Sequence, residues 1–164
     1  MLTEAVRVRA AVREDDAALL ALDRVSWPPG TAFPSVLHRN TDHFFTDHAL
    51  PDDHLVAEYQ GEVVGYVKVR RVYPMPEGTH VYAIHGIVVA EPARRRGVAS
   101  ALLAAAEDFV RARGGRKLRL GVLAGNHAAQ QLYERHGYTV EGLHRNEFVI
   151  EGRYVDDIQM AKQL

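Results

Sequence analysis

Cysteine is absent from the 164 residues, which removes disulfide scaffolds, thiolate metal sites and cysteine nucleophiles together. Charge of one sign is also lacking. Twenty Lys and Arg stand against 21 Asp and Glu, a formal net charge of -1, so no global field draws nucleic acid or an anionic membrane. Any anion site must therefore be local. No stretch approaches the ~20 apolar residues that span a bilayer. The opening Met1-Leu2-Thr3-Glu4-Ala5-Val6-Arg7 carries no basic region followed by an apolar run, so no signal peptide is read and the expected location is the cytoplasm. Two phosphate motifs are missing as well. No Gly-Lys-Ser or Gly-Lys-Thr occurs, and Gly97-Val98-Ala99 is followed by neither a third glycine nor an acidic residue at the ribose distance.

What remains is a globular composition, 47% hydrophobic and 25% charged, in a length that suits one domain, taken as residues 1–164. Val6 to Ala11 reads as a first strand. Arg13-Glu14-Asp15-Asp16 opens a helix running to about Val25, which Trp27-Pro28-Pro29-Gly30 breaks. A short helix is expected near Val36 to Phe45. His54 to Tyr59 and Val63 to Arg70 form a hairpin through Gln60-Gly61-Glu62. Val72 to Gly78 is a loop. Val81 to Val89 is too apolar for an edge and is placed centrally. An amphipathic helix follows over Val98 to Arg113, stopped by Gly114-Gly115. Lys117 to Val122 is a strand, and Gly125-Asn126 precedes a second amphipathic helix ending at Gly137. Tyr138 to Gly142, Asn146 to Ile150 and Tyr154 to Met160 are read as three closing strands, the last two joined through Glu151-Gly152.

Arg94-Arg95-Arg96-Gly97-Val98-Ala99 is costly if only folding mattered. A helix N-terminus carries about half a positive charge, so cations there are disfavoured by roughly 0.3–1 kcal/mol each. An anion held by free backbone N–H groups and flanking guanidiniums resolves the conflict. Strand 81–89, helix 98–113 and strand 117–122 form a βαβ unit whose two strands lie parallel. The arginine-glycine loop then sits at the carboxyl end of a central strand, where open α/β sheets bind ligands.

Arg94, Gly97 and Ala99 match the Gln/Arg-x-x-Gly-x-Gly/Ala loop of the GNAT superfamily of N-acetyltransferases. Asn126, Ala129, Tyr133 and Gly137-Tyr138 match its second motif, Asn-x-x-Ala-x-x-x-Tyr with a Gly-aromatic pair. The chain resembles that family over nearly its whole length, least over residues 26 to 53. It carries Glu91 where many members have proline, with Pro92 next.

The resemblance implies an α/β (α+β) fold: a mixed, mostly antiparallel sheet with a central parallel βαβ unit flanked by helices, whose middle strands splay. It implies acetyl-CoA as donor, no metal, and direct transfer to a primary amine. Backbone N–H groups from Arg95, Arg96, Gly97, Val98 and Ala99 would hold the pyrophosphate, with Arg94 adding side-chain charge. Val89 would pair with the pantetheine amides, and an N–H near Val88 would hold the oxyanion. Tyr133 would be the general acid for the leaving thiolate. Asn126 is read equally as a helix cap and as a cofactor contact.

His85, mid-strand, is either a packed, hydrogen-bonded residue or the general base, for which a pKa near ~6.5 is suited. Glu77, Glu141 and Asp156 compete for that role. The acceptor is expected to be a small cationic amine or a protein N-terminus or lysine, with no nucleic-acid or membrane partner; dimers are common in the family. His38, His43, His48 and His54 alternate with Asp42, Asp47, Asp52 and Asp53, without the tight spacing of a metal site. This segment reads as a polar loop, with Trp27, Phe44 and Phe45 either lining the acceptor pocket or anchoring the loop. The alternative function is an acyl-CoA-binding regulatory module that has lost transfer.

Overall fold

The computed structural model describes residues 5–27, 33 and 41–164. Its elements run in the order β1 (Arg7–Ala10), α1 (Asp16–Val25), β2 (His54–Tyr59), β3 (Glu62–Arg71), β4 (Val81–Val89), α2 (Val98–Ala112), β5 (Lys117–Leu123), α3 (His127–Arg135), β6 (Thr139–Ile150) and β7 (Arg153–Gln163). The seven strands form one sheet in the order β1-β2-β3-β4-β5-β7-β6. Every neighbouring pair is antiparallel except β4 and β5. The mixed sheet with a parallel crossover is the expected fold class, and β4 is its middle strand.

Two hairpins follow from their turn residues. Gln60-Gly61 and Glu151-Gly152 are two-residue loops in which both φ angles are positive, the geometry that matches the twist of the strands they join. On one face of the sheet α2 buries Leu102, Leu103, Ala106 and Val110 against Val67, Val69, Leu118, Leu120 and Met160. Each fully buried Leu or Val there contributes about 1.5–3 kcal/mol. The opposite face packs α1, through Leu19 and Leu22, against Val56, Tyr66, Val88 and Phe44.

Three expectations change. Residues 139–150 form one strand, not two: pairing with β7 is interrupted between His144 and Phe148 and then resumes. Asn146 takes a positive φ of 51° there, and its N–H donates to the Asp156 carboxylate at 2.7 Å, so the bulge is pinned without ending the strand. The first half of the helix expected near Val36 to Phe45, residues 36–40, lies outside those described, and Thr41 to Phe45 are not helical. The N–H groups of Phe44 and Phe45 donate instead to the Asp16 carboxylate (3.0 and 2.8 Å). The first helix begins as a 3-10 turn over Arg13–Asp15, because Asp15 turns back to accept from the Val12 N–H and from both terminal nitrogens of Arg9. Among the described residues no helix is long and apolar enough to cross a membrane.

The feature that positions the site is where β4 and β5 stop pairing. Their register covers Val81–Lys117, Tyr82–Leu118 and Ala83–Arg119 alone. Beyond it β4 continues on β3 and β5 continues on β7, so the sheet opens into a V.

Candidate functional site

A cleft of ≈ 710 Å³ occupies this V, lined by both strands, by the start of α2, by α3 and by α1. At its outer end the loop from Glu91 to Gly97 turns the chain from β4 into α2. Arg95 and Gly97 take left-handed φ values of 63° and 79°. Gly97 is the helix N-cap and offers no side chain to the first turn, and a Cβ there would point into open space. The backbone N–H groups from Arg95 to Ser100 find no acceptor among the described residues. Free N–H groups at a helix start, preceded by left-handed backbone, make an anion-binding concavity.

The three arginines separate. Arg94 turns inward, its Nε donating to the Val89 carbonyl at 3.1 Å and a terminal nitrogen to the Ser26 carbonyl at 2.5 Å. Its charge, expected on the ligand, instead ties the loop to β4 and to the end of α1. Arg96 lies outward over the Tyr59 ring, and Arg95 is exposed.

The Ala90 N–H donates to the Val64 carbonyl of the segment on β3. By the alternation of an antiparallel ladder Val88 also turns its N–H to β3, whereas Ile87 and Val89 present theirs to the gap. The oxyanion N–H was expected near Val88; that of Val88 itself is committed to the sheet, although Val88 lines the cleft, and its two neighbours are the ones that face the gap.

Pairing between β3 and β4 jumps from Ile84–Val69 to Gly86–Lys68, which leaves His85 as the extra residue of a β-bulge. Bulges re-aim side chains, and the His85 imidazole opens into the cleft. Desolvation, reinforced by the cations of Lys68, Arg70 and Arg119, holds it below the usual histidine pKa, so the ring is neutral at pH 7.

Across the cleft Tyr133 projects from α3. It is 5% exposed, edge-on to Tyr138 at 5.9 Å, and its hydroxyl has no hydrogen-bond partner among the described residues. Burial pushes its phenol well above the ordinary value, so it stays protonated. Asn126 caps α3, its Oδ1 accepting from the Ala129 N–H at 3.3 Å, while also lining the cleft. His136 Nε2 contacts Ser100 Oγ at 3.0 Å and fastens α3 to the first turn of α2.

The carboxylates named as competitors of His85 are engaged elsewhere. Glu141 pairs with Lys117 at 2.9 Å, Asp156 holds the β6 bulge, and Glu77 is exposed in a short turn. Two others that the residue pattern did not single out line the cleft, Asp23 and Asp157. Asp23 accepts from Trp27 Nε1 (2.8 Å) and Tyr66 Oη (2.6 Å). Asp157 was legible in principle. Strand alternation sets it and Gln159 on the face opposite Ile158 and Met160, which are core residues.

In the His/Asp-rich segment, His38 lies outside the described residues. His43 approaches Asp16 at 3.4 Å, and His54 is 1% exposed, among Phe44, Phe45 and Tyr66 with Nδ1 on the Leu50 carbonyl at 2.6 Å. Among the described residues no three His, Asp or Glu gather as a metal site would require. Phe44 is 5% exposed and anchors the loop as well as lining the cleft.

Comparison with known proteins accords with this geometry. The family model described as acetyltransferase (GNAT) family matches residues 17–138. Over 112 residues the chain is 33% identical to an L-amino acid N-acetyltransferase of Escherichia coli (strain K12), covering 66% of this chain and 66% of that protein. Over 84 residues it is 31% identical to an uncharacterized N-acetyltransferase of Bacillus subtilis (strain 168), covering 51% and 56%. The chain thus spans less than two thirds of the length of either relative. Among solved structures, a GNAT-family acetyltransferase from Streptococcus pneumoniae superposes with a TM-score of 0.78 at 26% identity, covering 98% of this chain and 99% of that one. The Salmonella typhimurium protein yncA, solved with its cofactor acetyl-CoA, shares the fold with a TM-score of 0.75 at 22% identity, covering 98% and 94%. With the splayed sheet, the open helix start and the family model in agreement, the chain belongs to the acetyltransferase (GNAT) family.

Proposed function

We propose that the protein transfers the acetyl group of acetyl-CoA to a primary amine. The observation that carries this reading is the gap between β4 and β5, which ends at a helix start with a row of unpartnered N–H groups. The fit to coenzyme A is specific in kind: the N–H groups from Arg95 to Ala99 would hold the pyrophosphate, and the free edge at Val89 would pair with the pantetheine amides. Bound acetyl-CoA supplies the activated thioester.

Alkylammonium groups are protonated at pH 7, with a pKa near ~10.4, so a proton must leave before nitrogen can attack. His85, neutral and opening on the cleft, takes a proton from the acceptor nitrogen. The N–H of Ile87, facing the gap, steadies the negative charge that develops on the acetyl oxygen. Tyr133, kept protonated by burial, donates to the departing thiolate and regains its proton from His85 by way of solvent. One ammonium and one thioester give one amide, one thiol and one released proton. We read the chain as one domain over residues 1–164 working in the cytoplasm, with homodimerisation a property to be measured by light scattering.

The test is thiol release from acetyl-CoA in the presence of amines of different class: free L-amino acids, a polyamine and an alanine-terminated peptide. Free L-amino acids come first, given the name of the Escherichia coli relative. Amine-dependent release is expected. Saturable coenzyme A binding with no release above background would replace this reading with that of a binding module that has lost transfer.

A further inference from the structure

We propose that Asp157 is the group that holds the acceptor's ammonium, and that the acceptor joins this charge to an apolar body lying among the aromatic rings beside it. This assignment rests on the acetyl-transfer reading of the same cleft and names the acceptor class for it.

The geometry begins with a missing side chain. Asp157 on β7 is paired with Leu123 of β5, and Gly121 two residues earlier on β5 is paired with Gln159. A Cβ built on Gly121 would lie 3.0 and 3.1 Å from the two carboxylate oxygens of Asp157. The carboxylate therefore lies across bare backbone on the cleft wall, in the volume a side chain of β5 would fill. Among the described residues its one hydrogen-bond donor is the side-chain amide of Gln159, a neutral group. Burial raises its pKa, the mark of a carboxylate short of compensating charge.

The other charges lining the cleft do not suit an ammonium. Asp23 is occupied by the Trp27 and Tyr66 donors. Lys68, with Arg70 on the same strand face, makes the His85 side positive, and Arg94 is spent on two carbonyls. An ammonium entering the cleft is repelled from one wall and drawn to Asp157 on the other. Asp157 and His85 line the same cleft, from β7 and from β4.

The rest of the acceptor meets rings. Phe148, on the β6 segment paired with Val155, is edge-on to Phe33 at 4.7 Å, and both line the cleft with Asp157. On the facing wall Trp27 lies 3.8 Å from where a Gly86 Cβ would be, beside His85. Such walls favour an amine on an aromatic or aliphatic body over a polyamine, whose second charge would meet, among the described lining residues, only Asp23 with its two donors already in place.

The test uses a matched pair, benzylamine and benzyl alcohol, alike in shape and different in charge, titrated by ligand-observed NMR with and without coenzyme A. Wild-type protein should prefer benzylamine by about tenfold or more. Asp157→Asn should remove that preference, Asp157→Glu should recover most of it, and the affinity for coenzyme A should stay unchanged in both. A smaller wild-type preference, or one that survives Asp157→Asn, overturns the assignment. If Asp157→Asn does not fold, Gly121→Ala displaces the carboxylate instead and should weaken benzylamine without affecting benzyl alcohol; an unchanged ratio overturns it equally. An intact preference with no amine-dependent thiol release would refute acetyl transfer and leave the ammonium site standing.

Discussion

Replacing Arg94 separates two roles for one guanidinium. If its charge acts on the ligand, Arg94→Lys should preserve coenzyme A binding. If it acts by clamping the loop to Val89 and Ser26, lysine cannot substitute, because one ammonium does not reproduce a planar fork that reaches two carbonyls. Hydrogen bonds from a charged donor contribute about 1.5–3 kcal/mol each. Arg94 is half-buried, so solvent screens part of this, and about 2–3 kcal/mol is a fair sum for the pair. In a domain of this length that corresponds to a fall in Tm of about 5–10 °C. The N–H row of Arg95 to Ser100 hangs from this clamp. Loosening it should therefore weaken coenzyme A binding about ten- to a hundredfold, or roughly 1.4–2.7 kcal/mol. Calorimetric titration of Arg94→Ala and Arg94→Lys, with thermal unfolding in parallel, measures both quantities. The clamp predicts that the two variants lose affinity together. Full affinity in Arg94→Lys alongside a loss in Arg94→Ala would refute it and return the charge to the ligand.

Tyr133→Phe should lower kcat at least about tenfold while coenzyme A affinity holds within twofold; equal turnover removes its role as acid. Gly97→Glu forces a side chain into φ 79° and sets a carboxylate at the anion site, so coenzyme A binding should vanish by calorimetry while the fold, followed by circular dichroism, is kept. His54 and His85 both have pKa values depressed below 6.5, so the unfolded chain binds more protons than the native one as pH falls past that value. Stability should be level above about pH 6.5 and decline below it, and a Tm unchanged between pH 7.5 and 5.5 would contradict the burial of His54 and the desolvation of His85. Asp15, held low first by its hydrogen bond from Arg9, should add a further loss as pH falls below about 3.8.

The strands, helices and arginine-glycine loop were legible because each rests on local signals: alternation, caps and positive-φ residues at predictable places. Asn126 as a cap and Gly137 past the end of α3 were readable for the same reason. What was not legible depends on contacts between segments far apart in the chain. The inward turn of Arg94 needs the Ser26 carbonyl, 68 residues earlier. The failure of Thr41 to Phe45 to form helix needs the Asp16 carboxylate, which takes two of their N–H groups. Asp157 is the exception, separable from Asp156 by strand alternation against Ile158 and Met160. The bulge that aims His85 lies in a register shift that side-chain pattern alone does not encode.

Three cross-strand pairs between β4 and β5 are few to hold a seven-stranded sheet together. Strands β1–β4 and β5–β7 are nearly two sheets, bridged on one face by the core under α2. Folding and ligand binding are consequently linked in this protein. A molecule that hydrogen-bonds along both lips of the V supplies rungs that the ladder omits, and the native state is stabilised by RT ln(1 + [L]/Kd) as a whole. The same rungs restrain the two halves from moving apart locally. Amide exchange along β4 and β5 beyond their three pairs should slow more on saturation than exchange in β1 and β2, because the unpaired lips of the V are the edges that gain partners. The cleft is thus also the seam along which this fold is least complete.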